Sequence, residues 1–126
     1  MEVTPSTRVT QSTGPYRRVD GTMIGNNFND LIDYTLDAPL NLDEHGSAPP
    51  ITSLSGNCEP DVAWSGTAPD GTANATAATR CNDWTTSASD ATWGRYSQTT
   101  SHWTQYCTGG GGFSCTLLAP LYCFEQ

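Results

Sequence analysis

The sequence predicts a single small α+β domain held by disulfides, and three observations carry that reading. The chain has 126 residues, enough for one core and too few for two. Hydrophobic residues make up 36% of it, many of them alanine, so the core leans on Trp64, Trp84, Trp93, Trp103 and Phe113. A core so small usually needs staples, and five cysteines supply them. No Cys-x-x-Cys pair occurs, and His45 and His102 lie far from ligand-like spacing to any cysteine, so the thiols read as an oxidised framework rather than a zinc or redox site. The bland alternative is five buried, reduced thiols. An odd number means one free thiol, a bond to another chain, or a fragment of a larger design.

Along the chain, residues 1–15 are rich in Thr, Ser and Pro and read as a linker or edge segment, leaving 16–126 as the domain. Tyr16 to Ile24 predicts a hairpin, with Asp20-Gly21 supplying the positive φ angles of a two-residue turn. Asn26 or Asn27 caps a short helix in which Phe28, Leu31 and Ile32 form one apolar face, with Pro39 ending it. Residues 38–54 have turn residues at close intervals and read as an ordered loop. Val62-Ala63-Trp64 is a compact strand, followed by the turn Pro69-Asp70-Gly71. Residues 72–80 fit either a strand or an extended loop, and Cys81 to Thr85 reads as another strand. Thr86 to Gly112 reads as a long polar loop set with aromatic rings, and the chain closes on a buried strand at Leu121–Glu125.

Charge narrows the partners. The net charge is −8 with no lysine, and Arg8, Arg17, Arg18, Arg80 and Arg95 form no basic stripe, so a nucleic-acid partner is not expected. No apolar run is long enough to span a bilayer, so membrane insertion is not expected either. The first residues lack the basic start and apolar stretch of an export signal, which is therefore expected to have been removed. A secreted or cell-surface location fits the cysteines and the acidic, Ser/Thr/Asn/Gly-rich composition.

Val-Ala-Trp-Ser-Gly-Thr (62–67), Asp-Gly-Thr (70–72), Cys-Asn-Asp-Trp-Thr (81–85), Trp-Thr (103–104), Ser-Cys (114–115) and Leu-Tyr-Cys-Phe-Glu (121–125) resemble the bacterial extracellular domains related to endostatin. More distantly they resemble C-type lectin domains. Residues 16–22 and 38–46 are also similar to the bacterial family's middle region. The resemblance implies a C-type-lectin-like/endostatin-like fold: a short helix, a small twisted antiparallel sheet and long disulfide-pinned loops, lacking the first strand and helix. It implies a Cys81–Cys115 disulfide and a Cys123 without its usual partner, an early cysteine that this chain does not contain. Cys58 and Cys107 are then left to staple the extra loops. The lectin calcium site is not expected: Glu59-Pro60-Asp61 precedes the strand it should follow, and Thr104 and Gln105 stand where ligands to the ion belong. The animal endostatin zinc ligands have no counterpart here, so no cofactor is expected.

The resemblance and the aromatic loop together imply an extracellular recognition or adhesion module, the tip of a larger surface protein or fibre, whose partner is a glycan or a surface or matrix protein. Trp93, Tyr96, His102 and Tyr106 are the candidate ligand-binding residues, because rings interleaved with Ser, Thr and Gln offer stacking faces and hydrogen bonds at low entropy cost. The same rings fit equally well as core filling, and the sequence leaves both readings open. Trp84, beside a cysteine, reads as core. Catalysis is not expected: neither histidine has a triad context, and the thirteen carboxylates include no pair singled out by spacing. These carboxylates, Asp20, Asp30, Asp33, Asp37, Asp43 and Glu44 among them, read first as solvated loop charges. Asn74-Ala75-Thr76 is a glycosylation sequon, meaningful in a eukaryotic setting. The rival to recognition is a subunit that completes its fold by self-assembly, with Cys123 or an apolar face at the contact.

Overall fold

The computed structural model describes residues 11–52, 58–72, 81–88, 90–106 and 113–124, with the backbone alone for Asp83, Trp84 and Phe113. Strands β1 (Tyr16–Arg17) and β2 (Met23–Gly25) pair antiparallel with a bulge between Tyr16 and Arg17. The connecting turn is wider than the two-residue form expected. Gly21 N donates to Arg18 O and Arg18 N to Thr22 O, both at 2.9 Å, and Gly21 alone takes a left-handed φ, +84°. That is a three-residue loop closed on a glycine, which needs one positive φ instead of two. The segments 68–72 and 43–47 repeat this closure, with Gly71 and Gly46 both at φ +78°. In each, an aspartate ahead of the glycine accepts from a backbone N–H beyond it: Asp20 from Thr22, Asp70 from Thr72, Asp43 from Ser47.

Asp20 shows what these carboxylates contribute. It takes Nε and Nη2 of Arg18 at 3.2 and 2.7 Å, while Arg18 Nη1 reaches Asn41 Oδ1 and Pro39 O, so one guanidinium ties the hairpin to residues 39–41. The Arg18 hydrogen bond, followed by the Thr22 amide, holds the Asp20 carboxyl down at about 2 from an ordinary 3.8. A depressed folded-state pKa stabilises above the unfolded value and ceases to do so as pH falls through the folded one. The stability difference between wild type and Asp20→Asn is therefore expected to shrink as pH falls from about 4 to about 2. Urea unfolding across that range measures it. A constant difference would show that the charge on Asp20 contributes nothing.

Helix α1 (Phe28–Leu31) is one turn, capped by Asn27, whose side-chain oxygen accepts from Asp30 N at 3.0 Å. It stops at Ile32, well before Pro39, because Tyr34 turns the chain with a left-handed φ of +78°. Phe28 and Leu31 are buried, and Phe28 N donates to Ser12 O at 3.0 Å, so the folded unit reaches back into the segment expected to be a linker.

Strand β3 (Val62–Trp64) pairs antiparallel with β5 (Trp93–Arg95) in the register Val62↔Arg95, Ala63↔Gly94, Trp64↔Trp93. Strands β4 (Asp90–Ala91) and β6 (Phe113–Ser114) form a third antiparallel pair. Among the described residues, then, the β-structure is three separate two-stranded pairs rather than the one small sheet expected. Part of the expected polar loop carries β4, β5 and a 3-10 turn at Ser101–Trp103. The expected strand at Cys81 is instead a one-turn helix, α2 (Cys81–Trp84), opening with two left-handed residues, Cys81 at φ +52° and Asn82 at φ +50°. Asparagine tolerates that region, and Asn82 Nδ2 donates to Thr85 Oγ1 at 3.1 Å across the turn. A β-ladder is closed to such backbone. The expected closing strand is also absent among the described residues: Leu121 makes one isolated bridge to Trp64 and is 62% exposed. The period-two pattern persists without a ladder, since Tyr122 and Phe124 pack inward while Leu121 and Cys123 stay exposed.

Two apolar clusters result. Tyr16, Ile24, Phe28, Leu31, Leu36 and Trp103 form the first. Val62, Trp64, Cys81, Ala91 and Trp93 form the second, with Trp64 and Trp93 stacked at 5.0 Å between ring centroids. Cys81 and Cys115 are joined by a disulfide, which ties α2 to the segment following β6. Cys58 is also disulfide-bonded; Cys107, its expected partner, lies outside the described residues, as do residues 73–80 with the sequon. Cys123 is a free, exposed thiol. Among the described residues no helix is long and apolar enough to cross a membrane.

Candidate binding site

The four aromatic candidates divide by the strand that carries them. Trp93 is completely buried against Trp64, and Tyr96 is 7% exposed, its hydroxyl donating to Pro49 O at 3.4 Å. Trp93 is corrected from a ligand contact to a core residue because β5 buries it completely, and Tyr96, the residue after β5, is corrected likewise on its burial. Burial also raises the Tyr96 pKa, with the nearby Asp61 charge adding to it. His102 and Tyr106 are exposed and half-buried respectively, with ring centroids 5.4 Å apart.

What holds these two rings is a rigid backing. Thr100 caps the 3-10 turn, which sets Trp103 inward while His102, beside it, points to solvent. Tyr106 N donates to Trp93 O at 2.9 Å, docking the residues after the turn against β5. Tyr122 Oη donates to Trp103 O at 2.7 Å, and burial, chiefly, drives the Tyr122 pKa upward. Ser65 Oγ donates to Thr104 O from the other side.

The third member of the strip is Arg95, which closes β5 and which no local pattern singles out. Its Cζ lies 5.1 Å from the Tyr106 ring centroid, a cation–π arrangement. Its Nε donates to Asp61 Oδ1 at 2.9 Å, while Asp61 Oδ2 accepts from Ser97 Oγ. Burial alone would lower the Arg95 pKa; the hydrogen bond and charge of Asp61, with Tyr106 and Glu59, outweigh it and raise the value. Asp61 and Arg95 are 34 residues apart, and no local pattern pairs them. The β3–β5 register brings them together, since Val62, next to Asp61, stands opposite Arg95. In Glu59-Pro60-Asp61, the one triplet with a calcium-lectin look, Asp61 has both oxygens occupied by Arg95 and Ser97. Among the described residues, no three His, Cys, Asp or Glu side chains converge as a metal site.

The strip Arg95–Tyr106–His102 therefore combines a guanidinium, a phenol and an imidazole on a fixed backing. Among the described residues the Arg95 Nη atoms have no protein acceptor. No family profile, no curated protein and no solved structure matches this chain.

Proposed function

We propose that this chain is a non-catalytic extracellular recognition module of the endostatin-like/C-type-lectin-like kind, serving adhesion to a glycan-bearing surface. The observation that carries the reading is the Arg95–Tyr106–His102 strip, where two rings and a guanidinium share one braced surface. A sugar ring stacks on aromatic edges and faces while its hydroxyl or carboxylate oxygens accept from Arg95, and neither contact needs a metal. The backing supports this role. Because the 3-10 turn and β5 are pinned by buried groups, little ordering entropy remains to be lost when a ligand docks.

A glycan array with the wild-type protein tests the proposal, followed by titration of the best ligand into Tyr106→Ala and His102→Ala. Loss of the Tyr106 ring is expected to weaken binding about tenfold, the scale of one stacking or cation–π contact of ~1–2 kcal/mol. His102→Ala is expected to weaken it less. Trp93→Ala serves as a contrast: its ring is completely buried, so it is expected to lower the thermal midpoint first. An empty array, or a glycan bound equally by wild type and both strip variants, would sink the assignment.

A further inference from the structure

On another face, a groove of about 1050 Å³ opens between the β1 strand, residues 40–44, Pro49-Pro50 and the tail 120–124. Its lining is largely apolar and includes two exposed hydrophobic side chains, Val19 at 59% and Leu121 at 62%. The free thiol of Cys123 lies in the same lining. The charges there also differ from the rest of the chain. Arg17 and Arg18 stand in the lining with Asp43 and Glu44, and because Arg18 is paired with Asp20, Arg17 is the cation this face presents on a protein of net charge −8. Arg17 donates to Gly21 O and has no carboxylate partner among the described residues; Glu44 is 81% exposed beside His45.

We infer that the face around this groove is a self-association surface, packed through its exposed apolar side chains against the same face of a second copy, with Cys123 bonded to Cys123 of that copy. An acidic chain repels its own copies over most of its surface, and an apolar face that presents Arg17 is where that repulsion is weakest. A Cys123–Cys123 bond puts the two-fold axis at Cys123, and the isologous contact around it pairs each copy's Arg17 with the other copy's Glu44, so one surface satisfies both signs. It also covers the exposed apolar side chains. The disulfide forms by exchange with a low-molecular-weight disulfide of the extracellular medium. One Cys123 thiolate attacks it and releases one small thiol, and the second copy's Cys123 thiolate then displaces the other. One disulfide is reduced to two thiols as the new S–S bond forms, and the two cysteine protons pass to the released thiolates. The inference is independent of the glycan reading, which uses Arg95, Tyr106 and His102.

Light scattering behind size exclusion, in buffer containing an oxidised small-molecule disulfide, tests it together with peptide mapping without reductant. A covalent dimer containing a Cys123–Cys123 peptide is expected, and Cys123→Ser is expected to leave a reversible dimer. In that Cys123→Ser background, Arg17→Glu is expected to weaken association about tenfold, and adding Glu44→Arg to restore it. A monomer under these conditions, a bond from Cys123 to any other cysteine, or association indifferent to Arg17→Glu overturns the inference. Glycan binding by a strictly monomeric protein would leave the recognition reading standing while this one fails.

Discussion

Gly94→Ala is expected to be the most damaging single-methyl change in the chain, lowering stability by at least about 3 kcal/mol or preventing folding outright. A Cβ at position 94 would lie 1.7 Å from Trp103 O, 2.2 Å from Trp103 C and 2.6 Å from Thr104 N. All three are backbone atoms, and they cannot swing aside as a side-chain tip does. Trp103 N is bonded to Thr100 O, Trp103 O accepts from Tyr122 Oη, and Thr104 is 1% exposed. The only relief is to push the whole 3-10 turn off β5. That displaces the Trp103 ring from the first cluster and its edge contact with Tyr122 at 5.7 Å. Gly94 sits in the strand of one cluster and touches the backbone of a residue in the other, so this absent side chain is what lets the two clusters join. Urea unfolding of the alanine variant measures the loss. A loss under about 1 kcal/mol would mean the turn yields readily, and that the Arg95–Tyr106–His102 strip is less firmly backed than argued above.

The same residue shows where the sequence stops being readable. Local signals are legible: Asp20-Gly21 marks the hairpin, Asn27 caps α1, Asp70-Gly71 makes its turn, and Val62–Trp64 is a strand with all three residues buried. Each of those rests on the preference of one or two residues. Strands β4, β5 and β6 are two or three residues long, too short for an alternation to appear, so a stretch of paired and turning chain looks like a polar loop. Gly94 within Trp-Gly-Arg carries no local signal of its role, which is a close approach to Trp103, nine residues downstream. For the candidate site, Trp93, Tyr96, His102 and Tyr106 read alike in the sequence, each open to binding or packing, because burial belongs to the strand pairing and not to the residue type. Arg95 was invisible for the same reason: its partner Asp61 arrives across a ladder.

The second large effect is expected at the disulfide. Replacing both Cys81 and Cys115 with serine should cost about 4 kcal/mol, since the bond closes a separation of 34 residues that would otherwise gain its full freedom on unfolding. Against a typical total of about 5–15 kcal/mol, that is a large share, and it falls where the structure has least else to rely on. The β4–β6 pair it secures joins two residues to two, a ladder too short to persist alone. Cys81 also stands at φ +52°, a conformation that costs a non-glycine residue about 1–2 kcal/mol and that the covalent bond helps to hold. Cys81 is buried in the cluster of Val62, Trp64, Ala91 and Trp93, so a serine hydroxyl placed there adds a desolvation cost beyond the lost cross-link. Chemical denaturation of the double variant, beside Cys123→Ser, separates these effects from the mere loss of a thiol. Cys123 is exposed and unbonded, and its replacement is expected to leave monomer stability within about 0.5 kcal/mol of wild type. Hydrogen exchange then locates the damage: amides of β4 and β6 should lose protection in the double variant while those of β1 and β2 keep most of theirs, because the first cluster contains no part of this bond. Uniform loss of protection would instead show the two clusters unfolding as one unit, with the contact at Gly94 strong enough to transmit the whole cost.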